Sequence, residues 1–535
     1  MTNWDHEADV VVLGSGGAGL TSALTAAING ASVEVYEKAA TVGGTTAVSG
    51  GIIWIPAHDR SAAGDLTVED AMSYLRAQSL GYMDDDMVDT FVRTGPEMLD
   101  FVEAHSELQF EVAEGFPDYK PELPGGRPAG GRSLNAKPFD RSRLGEWSER
   151  VTSFPADFSN VGIDAETRAR IHASVDDESG DYCVAGTALI AGLLKGLLDL
   201  GVVPHTNARA VELFADALGI TGVRIMRGDS EFNVRARRGV VLGTGGFEWD
   251  AKLVEAYLWG PMRGAVSPPN NTGDGLRMAM AHGADLANMS EAWWVPIVSL
   301  PDDTFEGQPR SRSVRLERTR PRSIIVNRAG KRFLNEAGEY NSMAGPFHFL
   351  DPKLGYANDP AWIVFDAQHF KRYGFLGVLP EEEAPDWFAP SADLTELGEK
   401  TGIDAAGLAA TLAQWNENVS HEQDPDFGRG SSAYDGYWGD DKAATPAGKT
   451  LGPIDTAPYY AVPVSIGAMG TKGGPRTDRD GRVLHVSGAA IPGLFAAGNA
   501  MAGATGKAYG GAGGTLGPAM VFGYRAGRAV SARAI

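Results

Sequence analysis

Six residues near the start of the chain, Gly14-Ser15-Gly16-Gly17-Ala18-Gly19, have the types and spacing to hold a pyrophosphate. Gly14 permits a tight turn, Gly16 lets backbone approach the phosphates, and Gly19 allows a helix to pack closely. Glu37, followed by Lys38, stands where a carboxylate accepts hydrogen bonds from ribose hydroxyls. This chemistry needs a strand to deliver the loop and a helix N-terminus to face the anion. Both are legible. Asp9–Leu13 (DVVVL) is an apolar run of the kind buried in parallel sheets. Leu20–Asn29 reads as a helix closed by Gly30, and Ala31–Tyr36 as a second strand ending at Glu37. With strand, helix and acid in register, the segment is predicted to be a dinucleotide-binding βαβ unit.

Three further glycine elements decide which dinucleotide. Gly43-Gly44-Thr45-Thr46 and Ser49-Gly50-Gly51 follow the βαβ unit and can wrap an extended pyrophosphate on its way to a second ring system. Gly239–Gly246 runs from a strand into Gly243-Thr244-Gly245. Ile491–Asn499, ending in Gly498-Asn499, resembles the late strand-plus-polar-residue motif of flavoproteins with two dinucleotide folds. Elements so far apart converge on one ligand in a discontinuous FAD domain, so FAD is the predicted cofactor. Ala210 joins the nucleotide-facing set. No histidine occurs in 43–51, so that segment offers no donor for a histidyl–flavin bond and FAD is expected to be non-covalent.

The 535 residues exceed one small core. The fold class expected is α/β (α+β overall): a discontinuous Rossmann-like FAD-binding domain plus a substrate-capping catalytic domain. The FAD domain is placed at 1–286, with an excursion at about 60–190, and resumes at 457–535; the cap is placed at 287–456. A net charge of −22 argues against nucleic acid or an anionic membrane as partner. The one cysteine, Cys183, excludes an internal disulfide and a CxxC metal or haem site, and no metal is expected. No apolar run reaches the ~18 residues of a membrane span, and Thr187–Val203 reads as a buried amphipathic helix. The N-terminus lacks a signal pattern, so a cytoplasmic location is expected.

The chain resembles 3-ketosteroid Δ1-dehydrogenases of the fumarate reductase/succinate dehydrogenase flavoprotein superfamily. The resemblance rests on GGTTAVSGG at 43–51, FPDY at 116–119, EAWW at 291–294, KRFLNEAGEY at 331–340, GTKGGPRTD at 470–478, GLFAAGN at 493–499 and AYGGAGGTLG at 508–517. It implies that Tyr340 is the base that removes a proton beside the ketone, and that Tyr119 hydrogen-bonds and acidifies it. It implies that Tyr509 and the backbone N–H of Gly513 donate to the ketone oxygen. Gly514, Thr515 and Leu516 would bring the last helix to the flavin. Fumarate reductases carry an arginine where Tyr340 stands, five positions past Asn335, and a histidine ahead of the segment Gly467–Gly474, which here has none. Phe116, Trp293 and Trp294 are candidate substrate walls. The arginine-rich run 310–322 reads as a solvated segment, with Arg320 the candidate for meeting a substrate carboxylate.

The chemistry supports these roles. Desaturating a ketone requires loss of an α-proton and a β-hydride. Two donors on the carbonyl form an oxyanion hole for the enolate. A free phenol, with pKa ~10, is a poor base at neutral pH, and a hydroxyl donating to the phenolate makes it more accessible. The expected activity is FAD-dependent introduction of an α,β C=C bond into a cyclic ketone, with a 3-ketosteroid as first substrate and a small ring ketone such as 4-oxocyclohexanecarboxylate or cyclohexanone as alternative. An enoate reductase and a non-catalytic flavin protein are the rivals. No haem, iron–sulfur or NAD motif is present, so electrons are expected to pass to an external acceptor: a quinone, an artificial acceptor or oxygen.

Overall fold

In the computed structural model, residues 3–62, 64–153, 182–353 and 355–534 are described. The valine-rich strand His6–Leu13 lies between Val33–Tyr36 and Ser230–Leu242, parallel to both, and Ser230–Leu242 pairs in parallel with Ala490–Ala496. Arg482–Leu484 closes one edge antiparallel, while Gly219–Arg227 and Arg209–Asp216 continue from Ser230–Leu242 as an antiparallel meander. Val10, Val11 and Val12 are wholly buried, as strands covered on both faces require.

Helix Gly17–Ile28 packs against Leu516–Ser531, the last helix of the chain. Glycine makes this contact possible. A Cβ on Gly523 would lie 2.6 Å from the Ala18 carbonyl oxygen, and one on Gly527 would lie 2.6 Å from that of Ser22. The two ends of the sequence therefore share one layer of the nucleotide fold. Helices Val68–Ser79, Asp85–His105 and Ala185–Asp199 belong to the same apolar core. The described part of the excursion is thus packed into the nucleotide-binding half rather than hung from it, and its residues 154–181 lie outside the described residues.

The second body is an antiparallel sheet in the order Gln308–Ser313, Ala292–Phe305, Tyr459–Thr471, Ala361–Asp366, Ser323–Asn327. One apolar cluster gathers Phe347, Phe365 and Phe388 against this sheet, and another holds Trp415 and Leu408 from helix Ala405–Ser420. Tyr459–Thr471 is a central strand here. The return to the nucleotide sheet therefore comes at Arg482–Leu484 rather than near 457. A small third sheet, Ile52–Trp54, Gly130–Ala136 and Phe110–Glu114, lies in the nucleotide-binding half beside the loop that carries Tyr119.

Candidate active site

The glycine loop leaves the strand at Gly14, whose φ of 97° a side chain would not tolerate and whose Cβ would lie 2.3 Å from the Gly243 oxygen. Ser15 ties this loop to the rest of the cradle. Its hydroxyl donates to Glu37 at 2.7 Å and accepts from the Gly43 N–H at 3.0 Å. Glu37 also accepts the Ser15 and Ala39 N–H groups, so its position is fixed from three sides. The Gly17 N–H donates to the Thr46 hydroxyl, and the Asn271 amide donates to that of Thr45.

One continuous cavity runs along Gly14, Ser15, Gly16, Gly17 and Ala18, then Glu37 and Lys38, Gly44, Thr45 and Thr46, and Ser49, Gly50 and Gly51. It continues past Ala210, Gly243, Thr244 and Gly245 to Gly498, Asn499, Thr515 and Leu516. Gly19 and Gly43 do not line it. Gly19 faces the Gly14 oxygen, where a Cβ would sit at 2.1 Å, and serves packing. The Thr244 hydroxyl is buried on the cavity wall without a hydrogen-bond partner among the described residues. An orphaned polar atom, a glycine-rich loop and a helix N-terminus on one cavity fit a bound dinucleotide.

The same cavity reaches Tyr119, Tyr340 and Tyr509. Their hydroxyls form a chain, with Tyr119 and Tyr340 at 2.6 Å and Tyr340 and Tyr509 at 3.0 Å. Thr515 donates to the Tyr509 hydroxyl at 3.3 Å. All three tyrosines are buried, and burial pushes each phenol above its ordinary pKa of 10.0. The hydrogen bond from Tyr119 works in the opposite direction on Tyr340, while Tyr119 is itself held well above the usual phenol value. Tyr340 is likewise held well above the usual phenol value, and either hydroxyl can donate in the short bond.

Each tyrosine is held by a separate device. Tyr119 sits in the Pro/Gly loop, where its N–H donates to the Gly510 oxygen. Its neighbour Asp118 is locked by the buried Arg132 at 2.6 Å, by the Trp54 indole at 3.0 Å and by the Arg127 N–H. Tyr509 lies in a loop whose carbonyls accept from Gln78, Tyr74 and Ser133. Gly514 clears space for its ring, since a Cβ there would lie 2.9 Å from Tyr509 Cδ2. Tyr340 opens a short 3-10 turn capped by Glu339, and the preceding turn is held by Arg318, which donates to the carbonyls of Glu336 and Gly338. Gly513 lines the cavity at φ 92°, and its N–H has no acceptor among the described residues.

The predicted substrate walls divide. Phe116 lines the cavity, stacked on Tyr437 at 4.2 Å. Trp293 stands behind the site, donating to Asn499 at 3.0 Å with its ring 4.8 Å from Tyr509. Trp294 packs on His348 away from the cavity. Arg320 does not reach the cavity either and lies over the Tyr373 ring at 4.9 Å. The run 310–322 is exposed at Arg315 alone, because Arg310 and Arg318 are buried and Arg312 and Arg322 pair with Asp303, Asp366 and Asp455. Arg315, Trp438, Val295 and Met469 line the cavity without having been singled out in the sequence. A fourth buried tyrosine, Tyr434, has its ring 5.1 Å from that of Tyr119.

Fold and cavity define a flavin-dependent oxidoreductase. The FAD binding domain family matches residues 9–516, and the chain belongs to that family, among the 3-ketosteroid Δ1-dehydrogenase-like flavoenzymes. It is 40% identical to 4-oxocyclohexanecarboxylate 2-dehydrogenase of Sinomonas cyclohexanicum, over 98% of this chain and 93% of that protein. It is 39% identical to 3-oxosteroid 1-dehydrogenase of Mycolicibacterium smegmatis, over 99% of this chain and 98% of that one. The crystal structure of 3-ketosteroid Δ1-dehydrogenase from Sterolibacterium denitrificans in complex with 1,4-androstadiene-3,17-dione superimposes with a TM-score of 0.90 at 33% identity, over 98% of this chain and 100% of that chain. Among the described residues no helix is long and apolar enough to cross a membrane.

Proposed function

We propose that this protein oxidises a ketone carried on a six-membered ring to the α,β-unsaturated ketone, with Tyr340 as base and Tyr509 and the Gly513 N–H as donors to the carbonyl oxygen. The observation that carries the reading is the linked chain of three buried phenols on the cavity that also holds the glycine cradle. Tyr509, raised above the ordinary phenol pKa, remains a neutral donor and stabilises the enolate as charge reaches the oxygen. The Gly513 N–H adds the second donor. Tyr340 takes the α-proton on its phenolate oxygen, and the hydrogen bond from Tyr119 makes that phenolate reachable. The glycine cradle, with Glu37 and the start of the last helix, would hold FAD, whose chemistry would be that of an acceptor for the β-hydrogen as hydride, with both electrons of the broken C–H bond. The substrate loses two electrons and two hydrogens, and an external acceptor such as a quinone, an artificial acceptor or oxygen takes the electrons onward.

Anaerobic mixing of the FAD-loaded protein with a cyclic ketone tests this directly. The expected result is bleaching of the flavin absorbance with formation of the enone. In Tyr340→Phe the bleaching rate falls by about 10²–10⁴-fold, the usual weight of a general base. An undiminished rate in that variant removes Tyr340 from the mechanism.

A further inference from the structure

We infer that Arg315 is a carboxylate anchor, so that the substrate is a cyclic keto acid whose anion is held on the cavity that also reaches Tyr509. This rests on the ketone-desaturation reading and adds the substrate class. Among the described residues, the cationic side chains lining the cavity are Lys38 and Arg315. Lys38 is committed, since its ammonium pairs with Asp274 at 3.0 Å and donates to Thr272. Arg315 makes no ion pair with any described residue, although its backbone is tied at both ends. Its N–H donates to Glu317, and its carbonyl accepts from Thr319.

The rest of the arginine run has partners. Arg310 and Arg312 meet Asp303, Arg318 meets backbone carbonyls, Arg320 lies on Tyr373, and Arg322 meets two aspartates. The acids lining the cavity are engaged elsewhere as well: Glu37 by Ser15 and Ala39, Asp274 by Lys38 and Arg209, and Glu306 by Asn270. The Arg315 guanidinium lies 6.0 Å over the Trp438 ring, which meets Phe116 edge to face at 5.5 Å. An aromatic wall thus leads from the phenols to a solvent-reached cation, on a protein of net charge −22. That combination suits a ring with a ketone at one end and an anion at the other. Guanidinium and carboxylate match in shape as well as charge.

The test compares 4-oxocyclohexanecarboxylate with its methyl ester, cyclohexanone and androstenedione on the FAD-loaded wild type, Arg315→Gln and Arg315→Lys. The ratio of kcat/KM for the acid to that for the ester is expected to fall by about 10- to 100-fold in Arg315→Gln, with the loss in KM, and to recover in part in Arg315→Lys. Cyclohexanecarboxylate, which has no ketone to oxidise, gives an independent readout. It should perturb the flavin spectrum of wild type and bind correspondingly more weakly to Arg315→Gln. An unchanged acid-to-ester ratio overturns the assignment, and so does a wild type that prefers androstenedione to the acid. If cyclohexanecarboxylate binds through Arg315 while none of the four ketones bleaches the flavin, the anion site stands as binding but the desaturation reading and the keto-acid substrate both fail.

Discussion

The three phenols differ in what their burial does to them. In the proposed mechanism Tyr509 and Tyr119 keep their protons, and a raised pKa suits that role. In that mechanism Tyr340 loses its proton, and the same burial works against it. The charged form of Tyr340 is therefore scarce at neutral pH, and its population grows with pH. kcat/KM for ketone oxidation is expected to rise by up to tenfold per pH unit between about pH 7 and 10, with no falling limb from Tyr509. A pH–rate profile already flat between about pH 7 and 9 would mean that Tyr340 is ionised throughout and that its burial is offset by a charge not accounted for. That Tyr119, Tyr340 and Tyr509 meet on one cavity was legible in the sequence because each sits in a short distinctive string, FPDY, NEAGEY and AYGGAGG. Arg315 was not. Six arginines crowd 310–322, and which of them faces the cavity depends on Asp303, Asp366 and Asp455, whose pairing no local pattern reveals.

At the level of elements, the nucleotide-binding βαβ unit was readable to within a few residues, because its spacing is dictated by the turn and the phosphate. The second sheet was not. Tyr459–Thr471 is an alternating, largely buried strand, and only its partners Ala292–Phe305 and Ala361–Asp366 decide which sheet it joins. Immediately after this strand comes Lys472, 1% exposed, donating to the carbonyls of Lys507 and Ala508 and lying 4.2 Å over the Trp293 ring. It fastens the second sheet to the loop that carries Tyr509, and no carboxylate is in ion-pair contact with it among the described residues. Burial pushes its pKa from the ordinary 10.5 down to about 8. The folded value lies below the unfolded one, so between pH 8 and 10.5 the unfolded chain binds more protons and this group's contribution to stability rises with pH. In Lys472→Met that rise is lost. The melting temperature of the wild type should therefore gain on that of the variant as pH increases from 8 towards 10, and a difference independent of pH would show that the lysine is not titrating in that window.

The molecule as a whole is organised around a ligand that no single segment can hold. The cradle is drawn from 14–18, 37–39, 44–46, 48–51, 243–245, 498–499, 513 and 515–516, brought together by one parallel sheet and by the packing of the first helix on the last. Tyr119 and Tyr509 stand on the nucleotide-binding half, while Tyr340 comes from the turn beside the second sheet. Cofactor binding and assembly of the phenol cluster are therefore two outcomes of the same closure. FAD binds the folded chain and not the unfolded one, so it stabilises by mass action, about 2.7 kcal/mol at a free concentration of 100 Kd. That stabilisation should be unevenly distributed. On adding FAD to the apoprotein, hydrogen exchange is expected to slow together in the peptides spanning 14–19, 43–51, 243–245 and 512–519, because each contributes backbone to one cavity. Helix Ala405–Ser420 packs on the second sheet through Trp415 and Leu408 and contributes nothing to the cavity. Its exchange should change little. Equal slowing in that helix would mean that the two bodies unfold as one unit. Slowing confined to 14–19 would mean that the distant glycine segments meet the cofactor only weakly.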